Sequence, residues 1–234
     1  MPANRIKLEP ALERRYARQA QRHKPRPAVC RILIVCEGSK TEPYYFEAFK
    51  TFNRGSNVYD VEVKGLGDNT MNVVDKAIEL SKKGDYDRIW AVFDKDSFSS
   101  NQFNGAIIKA KNNGIESAWS NEAFELWYLY HFTNRTTAMS RTEYQKAISD
   151  AVNSSPKYKL KKVYKYAKKD RCNFKIMNTY GSMEYAMRYA ETQSRIFTDH
   201  RYATHNPCTM VFKLVRQLIG KDEVLNEELK MKME

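Results

Sequence analysis

The chain has 234 residues, enough for one decorated domain or two small ones, with 42% hydrophobic and 29% charged residues. No apolar run approaches the roughly 18 residues of a membrane span, the first residues lack the apolar stretch of a secretory signal, and the four cysteines are scattered without CxxC spacing. A membrane protein, a disulfide scaffold and a zinc site are therefore not expected, a cytoplasmic location is, and the formal net charge of +12 favours a polyanionic partner, above all nucleic acid.

Residues 1–29 read as a basic extension, in which Arg5, Lys7, Arg14, Arg15, Arg18, Arg22, Lys24 and Arg26 face only Glu9 and Glu13. Residues 31–36 then form a strand that is apolar on both faces, as in a parallel sheet, and ends on Glu37 and Gly38. TEPYYFEAFKTF follows as a helix with Pro43 in its first turn. VYDVEVKG (58–65) is the second strand, and residues 70–83 have the spacing of an amphipathic helix. RIWAVFDKD (88–96) is a third strand, apolar and then abruptly acidic. A helix over 104–114, a strand over 115–120 and an aromatic helix over 121–132 complete the alternation. This order predicts an α/β fold: a three-layer core over 30–132 with a mainly parallel sheet.

From 133 to 205 the strands stop, and SRTEYQKAISDAVN, KLKKVYKYAKK and SMEYAMRYAETQSRIF read as helices of an insert or cap. Residues 206–220, with Pro207 near the start, read as a helix packing back on the core. The remainder, to 234, reads as a polar tail.

The chemistry concentrates in the acids. Residues two apart on a strand share a face, so Asp94 and Asp96 are expected to point into one site, and a parallel sheet brings Glu37 to the same edge. Three carboxylates converging without a cation repel one another. Hard oxygen donors of this kind suit Mg²⁺ or Mn²⁺. Glu42 lies one helical turn beyond, where helix capping competes with a site role. Glu125 sits inside FELWYLYHF, where an unpaired charge is costly, so a metal or a Lys/Arg partner is expected.

These residues resemble a known family. A Glu-Gly turn after the first strand and a DxD after the third are similar to the Toprim domain, the metal-dependent module of topoisomerases, primases and OLD-type nucleases. More closely, CEGSKTEPYYFEAF, VFDKDSF, SNEAFELWYLYHF and NPCTMV, in that order, resemble the RloB-like proteins of bacterial defence islands, over roughly residues 30–220. The resemblance implies Glu37 as the Toprim glutamate, Asp94 and Asp96 as metal aspartates, Glu42 as the second acid of the first motif (one residue later than usual) and Glu125 as a later metal acid. Glu122 stands where proline is usual and is the weaker candidate. The family also implies a separately encoded AAA or ABC-type ATPase partner. This chain carries no GxxxxGK[ST] loop of its own.

Residues 157–171 interleave Lys157, Lys161, Lys162, Lys165, Lys168 and Lys169 with tyrosines, as single-stranded nucleic acid requires, although a solvated lysine face over inward tyrosines fits the same pattern. Lys40, beside Glu37, is either a phosphate contact or a surface residue, and His131 reads as a core histidine. The combined expectation is a Mg²⁺- or Mn²⁺-dependent nuclease acting on DNA or RNA, tRNA included, in abortive anti-phage defence. Its catalytic set is Glu37, Glu42 and Lys40, and its metal set is Glu37, Asp94, Asp96 and Glu125. Two alternatives stay open: a nucleic-acid-binding sensor that does not cut, and a haloacid-dehalogenase-like phosphatase suggested by DKDS.

Overall fold

Strand β1 (Cys30–Cys36) lies between β2 (Tyr59–Gly65) and β3 (Arg88–Asp94), both parallel to it. β4 (Glu116–Asn121) continues the sheet in parallel, and β5 (Cys208–Thr209) closes it antiparallel, giving the order β2-β1-β3-β4-β5. The computed structural model describes residues 30–52, 59–67, 70–96 and 98–232; the expected basic extension lies outside the described residues.

The alternation of side chains along each strand builds two cores. Ile32, Ile34, Trp90, Val92 and Ala118 face one side. There they meet Tyr45, Phe46 and Phe49 of α1 (Thr41–Phe52) and the aromatic α4 (Glu125–Tyr130). Leu33, Val35, Ala91, Phe93 and Trp119 face the other, against α2 (Thr70–Ser81) and α3 (Ser100–Asn112). Because both faces are covered, the central strands β1 and β3 are apolar over most of their length, and the expected three-layer α/β arrangement with a mostly parallel sheet is what forms. Among the described residues no helix is long and apolar enough to cross a membrane.

The segment between β4 and β5 carries α5 (Arg141–Asn153), α6 (Asn173–Tyr180) and α7 (Met183–Ser194). Tyr144, Ile148, Val152, Met177, Ala186 and Ala190 join the same core as Trp90 and Trp127, so these helices share the hydrophobic interior of the sheet.

Four sequence expectations are corrected. KLKKVYKYAKK is not a helix: residues 154–172 are irregular. A helix there would stack Lys157, Lys161, Lys165 and Lys169 at i,i+4 spacing, and like charges so placed repel. Side chains pin the backbone instead. Asn153 brackets the Tyr164 N–H and C=O at 2.8 and 2.9 Å, and Ser149 Oγ accepts the Tyr166 N–H at 2.9 Å.

The helix expected over 206–220 starts only at Val211 (α8, Val211–Leu218), because Cys208 and Thr209 pair with β4. The expected tail is helical: α9 (Glu223–Met231) begins with Asp222 accepting the Leu225 N–H at 3.0 Å and buries Leu225 and Leu229. The aromatic helix expected over 121–132 is also shorter, starting at Glu125.

Candidate metal centre

The turn after β1 is held from both sides. The Glu37 N–H bonds to Val92 O at 2.9 Å, and Glu37 O accepts the Gly67 N–H at 2.7 Å, so neighbouring strands fix where the Glu37 side chain leaves the sheet. Glu37 Oε2 in turn accepts the Asp94 N–H at 3.1 Å. Gly38 is needed for space. A Cβ there would sit 2.1 Å from Glu42 Oε2, so any other residue would push the Glu42 carboxylate from its present place.

Glu42, Asp94 and Glu125 are all buried, and each leaves one carboxylate oxygen buried without a hydrogen-bond partner: Glu42 Oε2, Asp94 Oδ1 and Glu125 Oε2. Burial pushes the Asp94 carboxyl well above its ordinary pKa, and the charges of Glu42, Glu125 and Glu37 push the same way. Burial also raises Glu42, opposed by its own backbone N–H and by the Lys168 ammonium. Four acids thus feel one another at one end of the sheet, where a parallel α/β fold binds ligands.

A cavity of about 420 Å³ opens there, lined by Glu37, Gly38, Ser39, Lys40, Thr41, Glu42, Gly67, Asp94, Asp96, Arg141, Lys168 and Lys169. Asp96 reaches it differently from the sequence expectation. β3 ends at Asp94, and Asp96 lies in the following turn at φ +34. The turn, rather than strand alternation, brings its carboxylate to the cavity, where it pairs with Arg141. Lys40 is exposed on the rim.

Glu125 has the partners that burial demands, but incompletely. Tyr166 donates its hydroxyl to Glu125 Oε1 at 3.2 Å, and the Lys168 ammonium stands 3.9 Å from the same oxygen. Lys168 comes from the irregular 154–172 loop and is anchored by its backbone, whose carbonyl accepts the Thr41 hydroxyl at 2.9 Å. Lys168 and Lys169 therefore line the acid cavity. Lys161, Lys162 and Lys165 remain exposed, and Lys157 bonds the Gly181 carbonyl at 2.9 Å. Of the interleaved rings, Tyr166 is buried, and Tyr158 and Tyr164 pack against the core.

His131 is a core histidine, as its sequence context suggests. Its Nδ1 lies 2.9 Å from Trp127 O, and burial lowers its pKa to about 4. Glu122, the weaker candidate, is outside the cavity lining; its carboxylate accepts the Arg141 N–H at 3.0 Å.

The sequence reading missed Arg141. One signal was present: it is the first residue of α5, where the helix dipole disfavours a cation, so its placement there calls for a reason.

The chemistry of these donors, though not their present spacing, suits a divalent ion. Unpartnered buried carboxylate oxygens are hard ligands, and a cation removes the repulsion among them. Among the described residues no three acid, imidazole or thiol groups stand close enough to make a finished ligand set, so the acids converge without being assembled.

Neither the curated proteins nor the solved structures give a match to this chain. A family model does: that of the RloB-like protein matches residues 32–218, from β1 through the end of α8, a span that contains every acid of the cavity. The chain belongs to the RloB-like family.

Proposed function

We propose that this chain is a divalent-metal-dependent nuclease whose active site is the acid cavity at the carboxyl edge of the sheet. One observation carries the reading: the carboxylates of Asp94 and Glu42, each with a buried oxygen that has no hydrogen-bond partner, line a cavity that Lys40, Arg141, Lys168 and Lys169 also line. Crowded acids sharing a cavity with lysines and an arginine suit a metal and a phosphodiester together.

Asp94, Asp96, Glu37 and Glu125 would hold Mg²⁺ or Mn²⁺, with Glu42 completing the set. Such an ion supplies Lewis-acid polarisation of a phosphate and a more acidic bound water. The remaining roles belong to the chain. Lys40, Lys168 and Lys169 meet the negative phosphate oxygens and offset charge that develops on them. Glu37, oriented by the Asp94 N–H, is placed to take or return a proton at the edge of the cavity. Lys161, Lys162 and Lys165, exposed along the adjoining loop, extend the cationic track for a strand of DNA or RNA. The family resemblance supports a setting in anti-phage defence under a partner ATPase.

Incubating the purified protein with plasmid, single-stranded DNA and tRNA, with Mg²⁺ or Mn²⁺ and with EDTA, tests the reading. Cleavage of at least one substrate, stopped by EDTA and lost in Asp94→Asn, is expected. The absence of a finished ligand set favours one rival, a site that binds nucleic acid without cutting it. Binding with no metal-dependent product in any arm selects that rival.

A further inference from the structure

Glu122 ties two parts of the cavity together. Its carboxylate accepts the Arg141 N–H at 3.0 Å, and its backbone carbonyl accepts the Asp96 N–H at 3.1 Å. This bracket sets the start of α5 against the turn after β3 and brings the Arg141 guanidinium into an ion pair with Asp96. Asp96 holds φ +34, in the left-handed region that few side chains other than Asn and Asp accept. Backbone strain is thus spent on presenting this carboxylate.

The pair itself is a poor reason for such effort. The two side chains are 36% and 35% exposed, and ion pairs open to water contribute little to stability. Both groups also have better partners available in this cavity. A guanidinium fork matches two oxygens of a phosphate, and an aspartate among unpaired acids matches a divalent cation.

We propose that Arg141 is a phosphate-gripping residue of the substrate site, held in reserve by Asp96 until a divalent cation takes that carboxylate. The inference rests on reading the cavity as a metal-dependent phosphodiester site. Cation binding turns Asp96 away from Arg141, and the freed fork faces the cavity at the height of Lys168 and Lys169. The same exchange accounts for the unfinished ligand set, because one of its members is engaged by Arg141. Metal and nucleic acid then bind with positive coupling, each easing the other through a single broken ion pair.

Two titrations test this without reference to turnover. In the first, Mn²⁺ is titrated calorimetrically into metal-free wild type, Arg141→Ala and Arg141→Lys. Arg141→Ala is expected to bind Mn²⁺ about fivefold more tightly, since the competing cation is gone. Arg141→Lys, which keeps the charge, stays near wild type. In the second, a phosphorothioate oligonucleotide is bound with and without Ca²⁺. The metal strengthens binding to wild type, and that strengthening disappears in both variants, because lysine lacks the fork.

A control guards against misfolding. In EDTA, Asp96→Asn should bind the oligonucleotide more tightly than wild type, and Asp96→Asn/Arg141→Ala should lose that gain. Unchanged or weaker Mn²⁺ binding by Arg141→Ala, or an equal gain in the double variant, overturns the proposal. If wild type itself takes up no Mn²⁺, the reading of the cavity falls and takes this inference with it. If wild type binds Mn²⁺ and Arg141→Ala leaves that binding unchanged, only the inference falls.

Discussion

Strand β3 joins two edges of the sheet that treat charge in opposite ways. Just before its amino end, Asp87 accepts the Arg31 N–H at 2.8 Å and pairs with Lys232. Arg88 pairs with Glu228 and lies 3.8 Å from Glu116, while Arg31 lies 3.6 Å from Asp60. Burial by itself would raise the Asp87 carboxyl, yet the Lys232 ammonium and the Arg31 N–H outweigh it and hold its pKa below the ordinary value. At the carboxyl end of the same strand, Asp94 is more deeply buried, surrounded by other acids and pushed the opposite way. At the first edge each buried charge has an opposite one beside it, whereas at the second Asp94 and Glu42 each keep a buried oxygen with no hydrogen-bond partner, as a ligand-binding edge would require. Acids perturbed by burial and by one another in a cleft are candidates for a functional site.

The sharpest break of this comparison is at Asp94. Asp94→Asn should reduce cleavage by at least about a hundredfold, more than loss of an outer ligand contact typically does. It should leave the metal-free protein as stable as wild type or more so, because a crowded buried charge is removed. Single-turnover assays and urea unfolding in EDTA measure the two effects. A large loss of metal-free stability would mean that Asp94 is structural.

Gly38→Ala tests the geometry rather than the charge. The new Cβ must displace the Glu42 carboxylate, which would otherwise lie 2.1 Å away. A weakening of Mn²⁺ affinity by about tenfold is expected, with a stability cost of about 1–3 kcal/mol. Unaltered affinity would remove Glu42 from the metal set.

At the other edge the pattern should invert. Asp87→Ala should cost about 1–2 kcal/mol of stability through its lost backbone and ammonium bonds, while Mn²⁺ affinity and cleavage stay at wild-type values.

Asp87 and Asp94, at the two ends of the strand, should also titrate with opposite sign. Asp87 has a depressed folded-state pKa, so its contribution is present above the unfolded value, about 3.9, and is lost as the pH falls. Asp94 and Glu42 have raised folded-state pKa values. In the metal-free protein their contribution is complete below the unfolded values, about 4, and is lost as the pH rises through the folded ones. Melting curves in EDTA across that range should therefore show a shallower alkaline-side decline in Asp94→Asn and a shallower acid-side decline in Asp87→Asn.

The smallest effect lies on the loop. Lys161→Ala and Lys162→Ala should leave stability unchanged and each lower the salt slope of nucleic-acid binding by about one. An unaltered slope would make these lysines a solvated face.

What could be read in advance follows from where each signal resides. β1, β3 and α1 are continuous apolar or amphipathic runs, so their ends, and with them Glu37, Glu42 and Asp94, were legible from local pattern. Asp96 shares a cavity with Asp94 as expected, but for another reason, since strand alternation does not extend past Asp94 and a left-handed turn brings it there. β5 is two residues long and exists only because Ser120 and Asn121 pair with it, which no local pattern can reveal. The 154–172 loop misleads because lysine is a good helix former. Repulsion among neighbouring lysines and pins from Asn153 and Ser149 are long-range or collective effects. Arg141 and Lys168 join the cavity through Glu122 and Thr41, contacts between segments far apart in the chain. The α9 helix, in contrast, was readable: Asp222 caps it, and Leu225 and Leu229 are one turn apart.

The contrast between the edges is tested most directly by melting the metal-free protein against increasing Mn²⁺. A ligand that binds only the folded state raises the melting temperature with concentration. Wild type and Asp87→Asn should show the same rise, and Asp94→Asn should show none. Equal rises in wild type and Asp94→Asn, or no rise in wild type, would contradict the assignment of the clustered acids to a metal.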